Sequence, residues 1–223
     1  MKTTYLGQAG LLIETNGIKI MIDPYLSDSV VKINPRNYRR VPVDESFFEV
    51  KPDVMIFTHD HLDHYDPETV PKFITKDTEL TVLAPTSAYL KCRAIGGLNN
   101  YVEFNRHTEW TQNGVKFTAV KAFHSDPYAI GVIIENGSEK YYITGDTLYN
   151  SEIFGDIPSD VDVLFLPING VGNNMNMTDA ARFAKKVNAK TTVPFHIGMF
   201  DEMTADAFDC PNKLVPTIYK QIL

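Results

Sequence analysis

The 223-residue sequence predicts an α+β (α/β) fold, two mixed β-sheets with helices outside, in a single domain spanning residues 1–223. Three observations carry that reading. Asn-Gly pairs fall between runs rich in β-branched and aromatic residues; short apolar runs are bounded by Pro, Asp or Thr; and helical patterns separate some of those runs.

The pairs Asn16-Gly17, Asn113-Gly114 and Asn136-Gly137 predict three hairpins, because two-residue hairpin turns need positive φ, which Asn and Gly tolerate best. The first joins Leu11–Thr15 to Ile18–Asp23, the second leads into Val115–Phe123, and the third joins Ala129–Glu135 to Lys140–Thr144. Val54–Phe57, Val82–Ala84 and Val163–Leu166 read as buried strands. Thr178 is the expected N-cap of a helix over Asp179–Asn188, whose Ala180, Ala181, Ala184 and Val187 share one face. Pro67–Ile74, Ser87–Ala94 and Asn212–Leu223 are further helix candidates. No linker, low-complexity segment or repeat divides the chain.

At 43% hydrophobic and 22% charged, the composition is that of a globular protein able to bury a core without disulfides. The formal net charge of −7 repels phosphates at long range, which argues against nucleic acid and anionic membranes as partners and leaves a small molecule as the expected one. The opening Met1-Lys2-Thr3-Thr4-Tyr5 lacks the apolar run of a signal peptide, and no apolar segment approaches the ~20 residues that span a bilayer. Cys92 and Cys210 make neither a disulfide framework nor a Cys-pair zinc site, so the expectation is a cytoplasmic protein with reduced thiols.

The chemistry concentrates in Thr58-His59-Asp60-His61-Leu62-Asp63-His64, directly after the apolar run Val54–Phe57. At the end of a buried strand the backbone is fixed, and a tight loop can aim several side chains at one point. Three imidazoles and two carboxylates this close to a core are costly unless a metal satisfies them; the plain alternative is a solvated polar loop. His124 after Val115–Phe123, Asp146 after Tyr141–Gly145 and His196 after Thr191–Phe195 also sit at strand ends. Each alone reads more readily as a structural polar residue, whereas four strand-end positions together read as a ligand set.

These residues resemble the metallo-β-lactamase superfamily. Its HxHxDH motif stands as His59-Asp60-His61-Leu62-Asp63-His64, its later motifs match His124, Asp146 and His196, and its early strand-end acid matches Asp23. The resemblance implies a four-layer αββα sandwich with the site at one edge of the two sheets. It implies two divalent metal ions, zinc first and manganese or iron as alternatives, and a hydroxide shared between them as nucleophile. Position by position, it assigns His59, His61 and His124 to one metal, Asp63, His64 and His196 to the other, and Asp146 to both. Asp23 becomes the carboxylate that orients a ligand histidine. Asp63, Asp146 and His196 are the residues expected at the reacting centre. Asp60 falls on the motif's variable position, and His107 matches nothing and reads as a surface residue.

Within the superfamily, the segment from Pro167-Ile168-Asn169-Gly170 to Met177-Thr178, the stretch Val193–Phe200 and Leu6-Gly7-Gln8-Ala9-Gly10 look like the branch containing L-ascorbate-6-phosphate lactonases. That likeness implies opening of a lactone or ester bond in a small substrate, phosphorylated or otherwise anionic, with Asn169 near it. The long segment between Asp23 and His59 brings Arg36, Arg39 and Arg40 forward as anion-binding candidates, against the reading of a solvated loop. The chain is shorter than those lactonases. A phosphodiesterase or phospholipase-like hydrolase shares every ligand, an iron dioxygenase shares the motif, and a metal-stabilised scaffold is the non-enzymatic rival. Analogy also suggests a homo-oligomer.

Overall fold

The computed structural model describes residues 1–223. Six of its strands begin the chain and form most of the first sheet: β1 Lys2–Gly7, β2 Gly10–Thr15, β3 Ile18–Ile22, β4 Val54–Ile56, β5 Thr81–Ala84 and β6 Asn100–Glu103. The second sheet comprises β7 Glu109–Gln112, β8 Val115–Lys121, β9 Ile130–Asn136, β10 Glu139–Ile143, β11 Val163–Pro167 and β12 Thr191–Phe195. The short β13, Lys220–Gln221, returns to the first sheet beside β1, giving the order β13-β1-β2-β3-β4-β5-β6 against β12-β11-β10-β9-β8-β7.

The two sheets close over a core of 23 buried residues, among them Ile13, Ile20, Ile22, Ile56 and Leu83 from one sheet and Phe117, Val132, Tyr141, Phe165 and Phe195 from the other. Period-2 alternation sends the remaining apolar residues outward. Met21, Met55 and Val82 meet the helices α1 (Val70–Phe73) and α2 (Thr86–Arg93), while Ile133, Tyr142 and Leu164 meet α3 (Met177–Val187) through Ala180, Phe183, Ala184 and Val187. The layers are therefore α, β, β, α. The two cysteines are free and lie in opposite outer layers. No helix is long and apolar enough to cross a membrane.

Two of the three hairpin turns sit on the expected pairs. Asn16-Gly17 has φ of 48° and 77°, Asn113-Gly114 has 48° and 76°, and both join strands directly in register. In the third, Asn136 still pairs with Glu139, so the turn is Gly137-Ser138, one residue later than Asn136-Gly137. Other expectations need correction. The helix α3 is capped by Asn176, whose Oδ1 accepts from Asp179 N at 2.9 Å, and not by Thr178, which lies inside its first turn. The Pro67–Ile74 segment is helical only over Val70–Phe73. Asn212–Leu223 forms no helix, because Pro216 cannot continue one and the chain instead bonds outward, Leu214 N to Thr192 O at 2.8 Å and Ile222 N to Thr3 O at 2.8 Å. Replacing Asn176 by Ala should cost about 1 kcal/mol, measured by denaturant unfolding, while Thr178→Ala should cost less than half of that.

Asp156 fastens the far edge of the second sheet: Arg106 donates to it twice, at 2.6 and 2.8 Å, and Lys121 N donates at 3.0 Å. The Arg106 guanidinium beside it holds the carboxyl down, from 3.8 to about 2. A depressed carboxylate contributes stability that is fully present above its unfolded value and is lost as pH falls through the folded one. Wild type should therefore lose stability between about pH 4 and pH 2 more steeply than Asp156→Asn, read as unfolding midpoints across that range; parallel slopes would contradict it.

Candidate metal centre

The strands β3, β4, β8, β10 and β12 run in one direction within their sheets and deliver their C-terminal ends to one edge of the sandwich. Asp23 follows β3, the loop His59–His64 follows β4, His124 lies three residues beyond β8, Asp146 three beyond β10, and His196 directly follows β12. Gly145 is the hinge of this arrangement. Its φ is 60°, and a Cβ there would stand 2.7 Å from Ile130 O and 2.9 Å from Thr58 Cβ, so only glycine lets the β10 exit meet the β4 exit. Backbone in the left-handed region also recurs in residues that pay steric strain for it: Gln8, Asp23 and His196 have φ of 54°, 41° and 64°.

All seven predicted ligands come together. The donor atoms of His59, His61 and His124 lie within 4.8 Å of one another, as do those of Asp63, His64 and His196, and those of His59, His64 and Asp146. Asp146 stands between the first two groups: its Oδ2 is 3.2 Å from His196 Nε2 and 3.9 Å from His124 Nε2, and its Oδ1 is 3.4 Å from His64 Nε2. Buried His59 Nε2, His64 Nε2 and Asp146 Oδ1 have no hydrogen-bond partner. Unpaired buried polar atoms converging on one point are costly in protein alone and suit a cation well, so the residues fit the metals their chemistry implies.

The outer nitrogens explain the aim of the inner ones. His64 Nδ1 is 2.8 Å from Asp23 Oδ2, His59 Nδ1 is 3.1 Å from Thr58 Oγ1, and His124 Nδ1 is 3.2 Å from Asn173 O. An acceptor at Nδ1 holds the ring proton there and leaves the Nε2 lone pair facing the centre. Asp23 supports two ligands at once, since Thr58 donates to it from both N (2.8 Å) and Oγ1 (2.5 Å). Gln8 Nε2 donates to Asp63 Oδ2 at 2.7 Å, and Asn174 Nδ2 donates to Asp146 Oδ2 at 2.8 Å.

The field at the centre favours positive charge. Burial alone would depress His64 and His196, but Asp146 and Asp63 outweigh it, raising His64 well above its usual value and His196 to about 10. For Asp63 and Asp146 burial pulls upward, and the neighbouring histidines, His64 and His196 foremost, hold both carboxylates below the usual range. Burial keeps His59 and His124 low, hence neutral with a free lone pair. A divalent cation is attracted by the same field that attracts those protons.

A cavity of about 650 Å³ opens beside the centre, bordered by Asp63, Asp146, His196, Gln8, Asn169 and Asn174 among others. That size suits a small molecule. Of the long segment after Asp23, Val30 and Asn37 reach the cavity, and none of Arg36, Arg39 and Arg40 does. Arg39 is a strut: its guanidinium donates to Tyr25 O at 2.6 Å, Val41 O at 3.0 Å and Tyr219 Oη at 2.5 Å, so it ties loops together away from the cavity, where the sequence suggested an anion contact. Arg40 stacks its guanidinium over Tyr38 at 4.7 Å, and Arg36 lies exposed. Asn169 borders the cavity, with its amide on His196. Asp60 pairs with Lys91 at 2.8 Å, and His107, exposed, faces Asp156 at 3.2 Å. Gln8, Thr58, Asn173 and Asn174 were not singled out from sequence; all four lie within segments quoted above for other reasons, where an amide or hydroxyl carries no motif of its own.

An αββα sandwich with this ligand set at the sheet edge defines the class. Residues 19–197 match the family model described as beta-lactamase superfamily domain, and the chain belongs to the metallo-β-lactamase superfamily. Within it, the chain belongs to the UPF0173 family of metal-dependent hydrolases. It is 30% identical over 209 residues to a UPF0173 protein of Pyrococcus furiosus, covering 93% of this chain and 89% of that one. It is 31% identical over 234 residues to a UPF0173 metal-dependent hydrolase of Bacillus thuringiensis subsp. konkukian, covering 96% and 93%. The crystal structure of a possible metal-dependent hydrolase from Veillonella parvula superposes with a TM-score of 0.79 at 17% identity, covering 100% of this chain and 98% of that one, which shows the fold.

Proposed function

We propose that this metal-dependent hydrolase opens a lactone or ester bond in a small substrate, with two divalent cations, zinc foremost, at the centre described. The observation that carries the reading is the pair of three-residue donor groups, His59/His61/His124 and Asp63/His64/His196, with Asp146 between them. Bound there, the cations would lower the pKa of a water toward neutrality and polarise the substrate carbonyl. The chain's own residues do the rest. Asp63, held by Gln8 and bordering the cavity, is placed to take the proton released as water adds. Asn37 and Asn173 border the cavity and can offer their carboxamides to uncharged polar groups of the substrate. The lactonase-like branch remains part of this proposal, with one change. No Lys or Arg borders the cavity, so the preference for a phosphorylated substrate rests on no permanently charged side chain there. The two buried free thiols support a cytoplasmic setting.

The test is turnover of a panel of lactones and p-nitrophenyl esters alongside bis(p-nitrophenyl) phosphate, with zinc and then manganese supplied. Faster lactone or ester turnover is expected, and preference for the diester would overturn the substrate class in favour of a phosphodiesterase. On the same panel, Arg36→Ala should change KM by less than about two-fold, as for an exposed residue away from the site.

A further inference from the structure

Of the five histidines at the centre, three carry an oxygen acceptor on Nδ1 (Asp23 Oδ2, Thr58 Oγ1 and Asn173 O), and His61 turns its Nδ1 inward, 3.1 Å from His124 Nε2. The remaining one, His196, has Asn169 Nδ2 at 2.9 Å from Nδ1, an amide nitrogen facing a ring nitrogen, while the Asn169 Oδ1 is buried with no partner. Both facts have one resolution. An asparagine amide can present its oxygen or its nitrogen in nearly the same place, and the hydrogen-bond network decides which.

The network around His196 decides it. Its Nε2 lies 3.2 Å from Asp63 Oδ2 and 3.2 Å from Asp146 Oδ2, and so faces the centre. To ligate a cation there, Nε2 must keep its lone pair, which places the proton of the neutral ring on Nδ1. That N–H needs an acceptor. Gln8 Nε2, 3.1 Å away, is a donor committed to Asp63 at 2.7 Å, so Asn169 is the group left to accept. We infer that Asn169 turns its Oδ1 to His196 Nδ1 and is a positioning residue that fixes the tautomer in which His196 ligates the second metal. This rests on the two-cation reading above.

Asn169 is well placed for that duty. It closes a loop whose ends bridge Asn169 to Asn176 and Gly170 N to Met175 O at 3.1 Å, with Gly170 at φ 69°. From that one loop Asn169 reaches His196, Asn173 O reaches His124, and Asn174 reaches Asp146. A ligand from each donor group and the carboxylate between them are thus oriented by eight consecutive residues, 169–176.

The experiment measures zinc affinity of wild type, Asn169→Leu and Asn169→Asp by competition with a chromophoric chelator, with zinc bound per chain counted in parallel. Leucine removes the acceptor; aspartate keeps an oxygen and has no N–H to give. Wild type should bind two equivalents, Asn169→Leu should bind one of them about 10- to 100-fold more weakly, and Asn169→Asp should restore wild-type affinity. In ¹⁵N-histidine spectra of the zinc-loaded protein, the His196 Nδ1 signal should be that of a protonated nitrogen in wild type and Asn169→Asp. Two equivalents bound equally well by all three proteins would overturn the inference and leave the two-cation reading standing. Weak binding by both variants would mean that Asn169 donates, and would also overturn it. A wild type that binds no zinc would overturn both.

Discussion

Asp146→Ala is expected to lower kcat/KM by about 10³-fold or more and to reduce bound metal from two equivalents toward one or none. Asp146 is the only carboxylate that approaches both donor groups, through His124 on one side and through His64 and His196 on the other. Without it, His64 and His196 lose the charge that most favours a cation beside them. Cations at such a site supply several kcal/mol of transition-state stabilisation, which at 1.36 kcal/mol per factor of ten sets the size of the loss. Asp146→Asn separates charge from shape. It can still accept from Asn174 and should fold as wild type does, yet it should lose metal and turnover nearly as severely. Full activity in Asp146→Asn would show that this carboxylate holds no cation.

Asp23→Ala should damage both stability and metal binding, although Asp23 is not itself one of the seven ligand positions. Its carboxylate is 1% exposed and accepts from Thr58 N, Thr58 Oγ1 and His64 Nδ1. Truncation strands three buried donors, each costing about 1–3 kcal/mol when unpaired, so a loss of at least about 3 kcal/mol in unfolding free energy is expected. Removal of such a supporting carboxylate also lowers metal affinity by about 10- to 100-fold. Asp23→Asn tests whether the group works as an acceptor: it keeps one oxygen and should recover part of the stability. If Asp23→Ala bound zinc as tightly as wild type, His64 would be held by its packing alone.

Much of the site was legible because its chemistry is dense in sequence and anchored to apolar runs. The His59–His64 motif after Val54–Phe57 could hardly point elsewhere, and His124, Asp146 and His196 follow apolar runs that the eye finds readily. The residues that orient the ligands were not legible. Thr58, Asn173 and Asn174 act through one hydroxyl, one backbone carbonyl and one amide, and those groups occur in every loop of every protein. The fold shows the same division. Asn16-Gly17 and Asn113-Gly114 declare their turns through positive φ, whereas β1, β6 and β7 are strands by virtue of the neighbours they pair with. Asn212–Leu223 reads as a helix by spacing, but Pro216 and the free edge of β1 draw it into an extended path. Arginine misled most: Arg39 looks like an anion ligand in a polar stretch, and burial against Tyr25 and Tyr219 makes it a tie between loops.

The most direct test of the central claim is the zinc bound per chain by wild-type protein, stripped with chelator, reloaded with zinc, desalted and measured by mass spectrometry. Near two equivalents is the expected result, one for each three-residue donor group with Asp146 between them. A single tightly bound equivalent, or none, would contradict the two-cation centre on which the proposed hydrolysis depends.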